Sequence, residues 1–230
     1  MKRQEINRLI ENAKKLLCKN NIALPPFAYW SPLDWKSKGC ECDEIRKCML
    51  GWDITDFGSG RFDEIGLVVF TVRNGHHTIN PFTSKTYAEK ILAIQPNQRT
   101  PMHFHRSKME DIINRCGGNL VIQVYNSDKN ESLADTDVEI SLDGVRKKVP
   151  AGTKLILKSG ESVTVPPYLY HEFWAEQGSR YVIAGEISKL NDDNNDNRFL
   201  NNTGRFPDIE EDCEPNHYLC CEYPSAASKI

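Results

Sequence analysis

The chain opens without a continuous apolar run. Its opening stretch, "MKRQEINRLIENAKKLL", breaks into a polar, periodic pattern, so neither a membrane span nor a secretion signal is expected and a cytoplasmic setting follows. It also lacks an excess of positive charge: 29 Lys and Arg against 32 Asp and Glu leave a formal charge of −3. Such a surface has little with which to neutralise a phosphate backbone, which argues against nucleic acid as a partner. Eight cysteines are present, but Cys40, Cys42 and Cys48 lack the second pair that zinc-finger spacing demands. Reduced packing thiols are therefore expected. Histidine is scarce, with six in 230 residues, at positions 76, 77, 103, 105, 171 and 217.

What is present falls into three stretches of a single domain. Ile6, Leu9, Ile10, Ala13, Leu16 and Leu17 recur at helical spacing, which predicts an amphipathic helix over residues 4–19. The rest of 1–64 holds three of the four tryptophans among turn residues and reads as an irregular, aromatic-rich wrap. From 65 to 190 short β-rich runs follow one another, among them "IGLVVFTVRNG", "EKILAIQPNQ", "NLVIQVYNS", "KLILKSGESVTVPP" and "RYVIAGEIS". Many short strands without intervening helices predict an all-β fold, an antiparallel jelly-roll barrel. Residues 191–230 are polar and turn-rich, either a solvated loop or a flap over the barrel mouth.

Two of the scarce histidines stand one residue apart in "TPMHFHRSKMEDI". Residues i and i+2 of a strand share a face, so His103 and His105 present two imidazoles to one cavity. Glu110 follows after a turn-length spacer, and a carboxylate arriving on the next strand supplies an anionic third ligand. His171, in "GESVTVPPYLYHEF", is the candidate fourth. His103, His105, Glu110 and Gly117 fit the first motif of the cupin family without a gap, and Gly160, Pro166 and His171 fit the second. The chain departs from those motifs at Asn97 and Tyr168, where glycine is expected, and at Ala175, where asparagine is expected. Three imidazoles and a carboxylate can hold Mn, Fe, Co, Zn or Ni, and the affinity order alone does not select among them.

Longer stretches, "LPPFAYWSPLDW", "LGWDITDFGSGRFDEIGLVVFTVRNG", "YAEKILAIQPNQRTPMHFHRSKMEDIINRCGGNLVIQVYN" and "GEISKLNDDNNDNRF", resemble the D-lyxose isomerase family of cupin sugar isomerases over nearly the whole chain. The resemblance implies a cupin-type jelly-roll β-barrel with an N-terminal helix and irregular N- and C-terminal extensions. It further implies a manganese-dependent aldose-ketose isomerase acting on D-lyxose and D-xylulose, with D-mannose and D-fructose as a related pair, through a metal-stabilised enediol. Free pentose or hexose is then the substrate, and a homodimer the expected assembly.

For the proton transfer such chemistry needs, two charged residues on strands are candidates: Lys90 in "YAEKILAI", as donor to a sugar oxygen, and Glu186 in "RYVIAGEIS", as base. Each has a plainer reading as a solvated strand-edge charge. Asp193 and Arg198 in "NDDNNDNRF" are candidates for binding substrate hydroxyls, although turn chemistry also accounts for that composition. Three other functions stay open: a sugar-phosphate isomerase drawing on Arg106, Lys108 and Arg198, an iron cupin dioxygenase, and a non-catalytic sugar-binding cupin.

Overall fold

A computed structural model of the chain describes residues 1–76, 84–190, 192, 195–201, 203–205 and 207–226. Helix α1 (Arg3–Lys19) matches the predicted segment to one residue at its start. Fourteen strands follow among the described residues: β1 (Gly51–Thr55), β2 (Leu67–Arg73), β3 (Tyr87–Ile94), β4 (His103–His105), β5 (Glu110–Gly117), β6 (Leu120–Ser127), β7 (Leu133–Ala134), β8 (Val138–Leu142), β9 (Val145–Val149), β10 (Lys154–Leu157), β11 (Ser162–Val165), β12 (Leu169–Ala175), β13 (Val182–Lys189) and β14 (Asn197–Phe199).

They form two antiparallel sheets, an eight-stranded one ordered β1-β2-β3-β13-β5-β11-β8-β9 and a six-stranded one ordered β10-β6-β12-β4-β14, with β7 beside β6. This is the expected jelly-roll. Alternating residues from both sheets, including Leu92, Ile112, Ile122, Val124, Val163, Phe173 and Val182, fill the space between them. On the outer face of the larger sheet a second core forms where Ile6, Leu9, Ile10, Ala13 and Leu17 of α1 meet Trp52, Phe70, Ala93 and Ile183. Each fully buried aliphatic side chain there contributes roughly 1.5–3 kcal/mol.

The aromatic wrap is less irregular than its composition suggests, because "GWDIT" is strand β1 and is buried along its whole length. Covered on one face by α1 and its neighbours and on the other by the barrel, it shows no polar alternation by which to recognise it. Strand β9, "VRKKV", is masked for the opposite reason, being almost wholly exposed and charged as the edge of its sheet.

The described residues of the C-terminal extension are tied to the body of the domain, and Asn197, Phe199 and Arg205 line its cavity. Strand β14 pairs with β4, the Arg205 guanidinium pairs with Asp53 of β1, and Arg3 of α1 bonds Glu211 at 2.6 Å as well as Glu222. All eight cysteines are free thiols, and burial pushes Cys42 and Cys48 up, away from thiolate. Among the described residues no helix is long and apolar enough to cross a membrane.

Candidate active site

The short strand β4 sets the site. His103 and His105 point into the barrel while Phe104 between them packs outward against Tyr168 and Tyr170, at ring separations of 5.2 and 4.8 Å. Strand β12 places His171 directly opposite His103. The turn after β4 carries the chain to the other sheet, where Glu110 opens β5. One ligand atom from each histidine lies within 4.8 Å of the other two. Glu110 Oε1 stands 3.0 Å from His171 Nε2 and 3.4 Å from His105 Nε2.

Donor atoms at right angles about one divalent ion, each roughly 2.1 Å from it, lie roughly 3 Å apart, a spacing that Glu110 matches to His171 and His105, while the looser histidine triad is a cluster that could hold such an ion. The orientation of the rings fits as well. Nδ1 of His103 donates to the Pro101 carbonyl at 2.8 Å and Nδ1 of His171 to the Leu169 carbonyl at 3.0 Å. That fixes the tautomer whose Nε2 offers a lone pair. His171 Nε2 is buried with no hydrogen-bond partner, a vacancy in bonding that a cation satisfies.

Electrostatics keep His103, His105 and Glu110 in their ligating forms. Burial pushes His103 well below the usual histidine value, and His171 and His105 push it further. Burial and Lys108 lower His105 in the same way. For Glu110 burial works against the charge, but Lys108 and His105 outweigh it and hold the carboxyl well below its ordinary range. Neutral imidazoles and an ionised carboxylate are what a metal requires.

Facing the histidines is a cavity of about 490 Å³, its open mouth included. Lys90 and Glu186, Cα partners across β3 and β13, both face it and both are buried, not solvated edge charges. Glu186 Oε1 accepts from Lys108 Nζ at 2.9 Å and lies 3.4 Å from Lys90 Nζ. Phe57, Leu67, Val69, Leu92, Phe173 and Phe199 supply an apolar wall.

The structure does not bring Arg198 to this cavity. On β14 its neighbours Asn197 and Phe199 face inward, so alternation turns Arg198 outward, where Nε bonds Glu131 at 2.8 Å. Asp193 and His77 lie outside the described residues. Two cavity residues escaped the sequence reading in this role. Lys108 sat in the spacer between two ligands, where a turn phase is unreadable; Arg205 sits in a stretch without periodicity.

Two of the three motif departures have a backbone explanation. Asn97 and Tyr168 stand where glycine is expected, and both adopt left-handed φ, 61° and 63°. Asparagine tolerates this readily, and tyrosine does so under strain.

The model of the D-lyxose isomerase family matches residues 1–223. A D-lyxose/D-mannose isomerase of Escherichia coli O157:H7 is 45% identical over 224 residues, 97% of this chain and 98% of that protein. The chain belongs to the D-lyxose isomerase family.

A second D-lyxose/D-mannose isomerase, from Serratia proteamaculans, shows the same 45% identity and the same coverage. Among solved structures, ligand-free Cellulomonas parahominis L-ribose isomerase aligns with a TM-score of 0.61 at 14% identity, covering 91% of this chain and 98% of its own. Geodermatophilus obscurus L-ribose isomerase gives 0.59, also at 14% identity and with the same coverage. At such identities the likeness is one of fold. Within this D-lyxose isomerase family member, the cavity holds three clustered histidines beside Glu110, and Lys108 links that carboxylate to Glu186, which also stands beside Lys90.

Proposed function

We propose that the protein interconverts D-lyxose and D-xylulose, with D-mannose and D-fructose as a second pair, by moving a proton between C1 and C2 of the open-chain sugar. The observation that carries this reading is that one cavity brings together three converging imidazoles, Glu110 and the Glu186–Lys108 pair, with Lys108 touching both carboxylates, in a chain of this family.

His103, His105, His171 and Glu110 are the residues that hold a divalent ion, manganese in our reading with Fe, Co, Zn and Ni as rivals, and such an ion supplies Lewis-acid polarisation of the carbonyl and its neighbouring hydroxyl. Glu186 is the base that takes the proton from one carbon and returns it to the other. Lys108 orients that carboxylate through its 2.9 Å bond, and Lys108 and Lys90 place positive charge beside the oxygen that becomes an oxyanion as the proton leaves. The apolar wall takes the sugar's C–H faces and limits water.

A free sugar suits the site better than a sugar phosphate. The cations that face the cavity among the described residues are Lys90, Lys108 and Arg205, and each stands against a carboxylate: Glu186, then Glu110 with Glu186, then Asp53. Arg106 and Arg198 are both engaged with Glu131 outside. A binding-only cupin needs no buried acid–base pair, and that pair is what favours turnover. We further place the protein in the cytoplasm and as a homodimer. Tyr87 of β3 and Ile187 of β13 leave apolar surface exposed on the larger sheet, which a second copy can cover. A monomer in light scattering with full activity would count against the dimer.

The deciding experiment is ketose formation by metal-stripped protein given back Mn, Fe, Co, Zn or Ni separately, with D-lyxose, D-mannose and their phosphates. Manganese-dependent turnover of free D-lyxose is expected. Absence of isomerisation with every metal removes the reading, and oxygen uptake with ferrous ion transfers it to a dioxygenase.

A further inference from the structure

The three ligand histidines are not oriented alike. His103 and His171 each donate Nδ1–H to the carbonyl two residues earlier in their own strands, at 2.8 and 3.0 Å. His105 has no such bond, and its buried Nδ1 lacks a hydrogen-bond partner. The carboxylate on that side belongs to Asp196, whose Oδ2 lies 3.8 Å from His105 Nδ1.

Asp196 is itself buried and immovably placed. Its Oδ1 accepts from the Ser107 N–H at 2.8 Å and the Ser107 hydroxyl at 2.7 Å, and its Oδ2 accepts from the Lys108 N–H at 3.1 Å. Its own carbonyl accepts from the Arg106 N–H at 3.0 Å. One residue of the C-terminal extension thus grips the whole turn that separates His105 from Glu110, and it stands on the ring of the first while fixing the backbone of Lys108, which contacts the second at 2.7 Å.

We propose that Asp196 is a positioning residue of the metal site, the acidic partner of His105 that the barrel strands themselves do not provide. A carboxylate facing the distal nitrogen of a ligand imidazole orients the ring and raises its basicity, and removing such partners typically weakens metal binding or activity about 10- to 100-fold. The inference rests on the metal reading above and adds to it that the C-terminal extension, beyond lining the cavity, finishes the metal site. It makes the extension and the metal interdependent through the 3.8 Å approach and the three bonds to the turn.

The test uses the full-length protein, stripped of metal and titrated with Co²⁺ and with Mn²⁺, as wild type, Asp196→Asn and Ser107→Ala. Asparagine keeps an oxygen to accept from Ser107 but removes the charge beside His105, whereas Ser107→Ala removes one bond to the turn and leaves the charge. Asp196→Asn is expected to weaken both ions about 10- to 100-fold and to shift the Co²⁺ visible absorption, with an unchanged circular dichroism spectrum. Ser107→Ala is expected to stay within about threefold of wild type, because the residue that faces the ligand is retained. Wild-type affinity and an unshifted Co²⁺ spectrum in Asp196→Asn overturn the assignment and leave the metal site standing. Equal losses in the two variants also overturn it, reducing Asp196 to a turn cap. A wild-type protein that binds neither ion overturns the metal reading along with it.

Discussion

Nζ of Lys108 lies 2.7 Å from Oε2 of Glu110, with both side chains only 3% exposed. The same ammonium reaches Glu186 Oε1 at 2.9 Å, so one buried cation neutralises a carboxylate on each side. Removing one partner of such a pair leaves charge buried without compensation, which typically costs about 3–5 kcal/mol. Lys108→Met is therefore expected to destabilise the metal-free protein by about 3 kcal/mol or more, since the histidines beside Glu110 and Lys90 beside Glu186 provide partial relief. A divalent ion, positive and adjacent to Glu110, should recover part of the loss. Urea unfolding with and without Mn²⁺ measures both terms, and an unchanged midpoint in the metal-free variant contradicts the pairing.

Glu186 separates chemistry from metal binding. It faces the cavity but is not among the clustered histidines, so under the proposed mechanism Glu186→Gln should retain metal while losing the base. A decrease of about 10²- to 10⁴-fold in kcat is expected, the usual contribution of a positioned proton-transfer group. Metal content by elemental analysis and the rate of ketose formation report the two properties independently. Normal turnover with normal metal content would assign the base elsewhere.

The meeting of His103, His105, Glu110 and His171 was legible before the structure because strand geometry has a period of two and because the spacing from His103 to Gly117 is a motif in itself. Lys90 and Glu186 were legible only as candidates, because β3 and β13 are apolar on both faces, with Leu92 and Ala184 turned to the barrel core and Ala93 and Ile183 to the outer one. Arg198 shows where this reasoning stops. Its strand is three residues long, too short to reveal its phase, and the inward positions are Asn197 and Phe199. Lys108, Asp196 and Arg205 reach the site from turns and irregular chain, whose direction is set by tertiary bonds such as Asp196 to the Ser107 and Lys108 amides. No local periodicity encodes such bonds.

The lowered histidines give the metal-free protein a defined acid sensitivity. Burial holds His103 well below the ordinary 6.5, and burial with Lys108 lowers His105. Below pH 6.5 the unfolded chain gains protons that these folded imidazoles refuse, so their contribution is complete above that pH and is lost as pH falls beneath it. Glu110, also lowered, adds a loss of the same sign below its ordinary 4.5. Each group contributes at most about 1.4 kcal/mol per pH unit within its window. The Tm of the metal-free protein should thus fall from pH 6.5 toward 5, and His103→Phe should flatten that slope. An equal slope in the variant would show that His103 titrates normally.

Gly117, the glycine that closes the first motif, has a steric reason to be glycine. Its φ is +107°, and a Cβ built there would lie 1.9 Å from the carbonyl oxygen of Tyr181, on the chain leading into β13. The obstacle is backbone, which cannot rotate away as a side chain can. Gly117→Ala is expected to cost about 3 kcal/mol or more, combining the strained conformation with displacement of the β5–β13 pairing. That pairing runs on to Glu186, so the same variant should lower activity even where it remains folded. Calorimetry and ketose formation check the two effects. At Tyr168 the chain already carries a side chain at φ 63°, its ring half exposed and packed on Phe104, so in Tyr168→Gly the relief of strain offsets the lost ring contact and stability should change by no more than about 1 kcal/mol. The contrast between the two positions separates left-handed backbone strain, which one side chain can bear, from a clash with main chain, which it cannot.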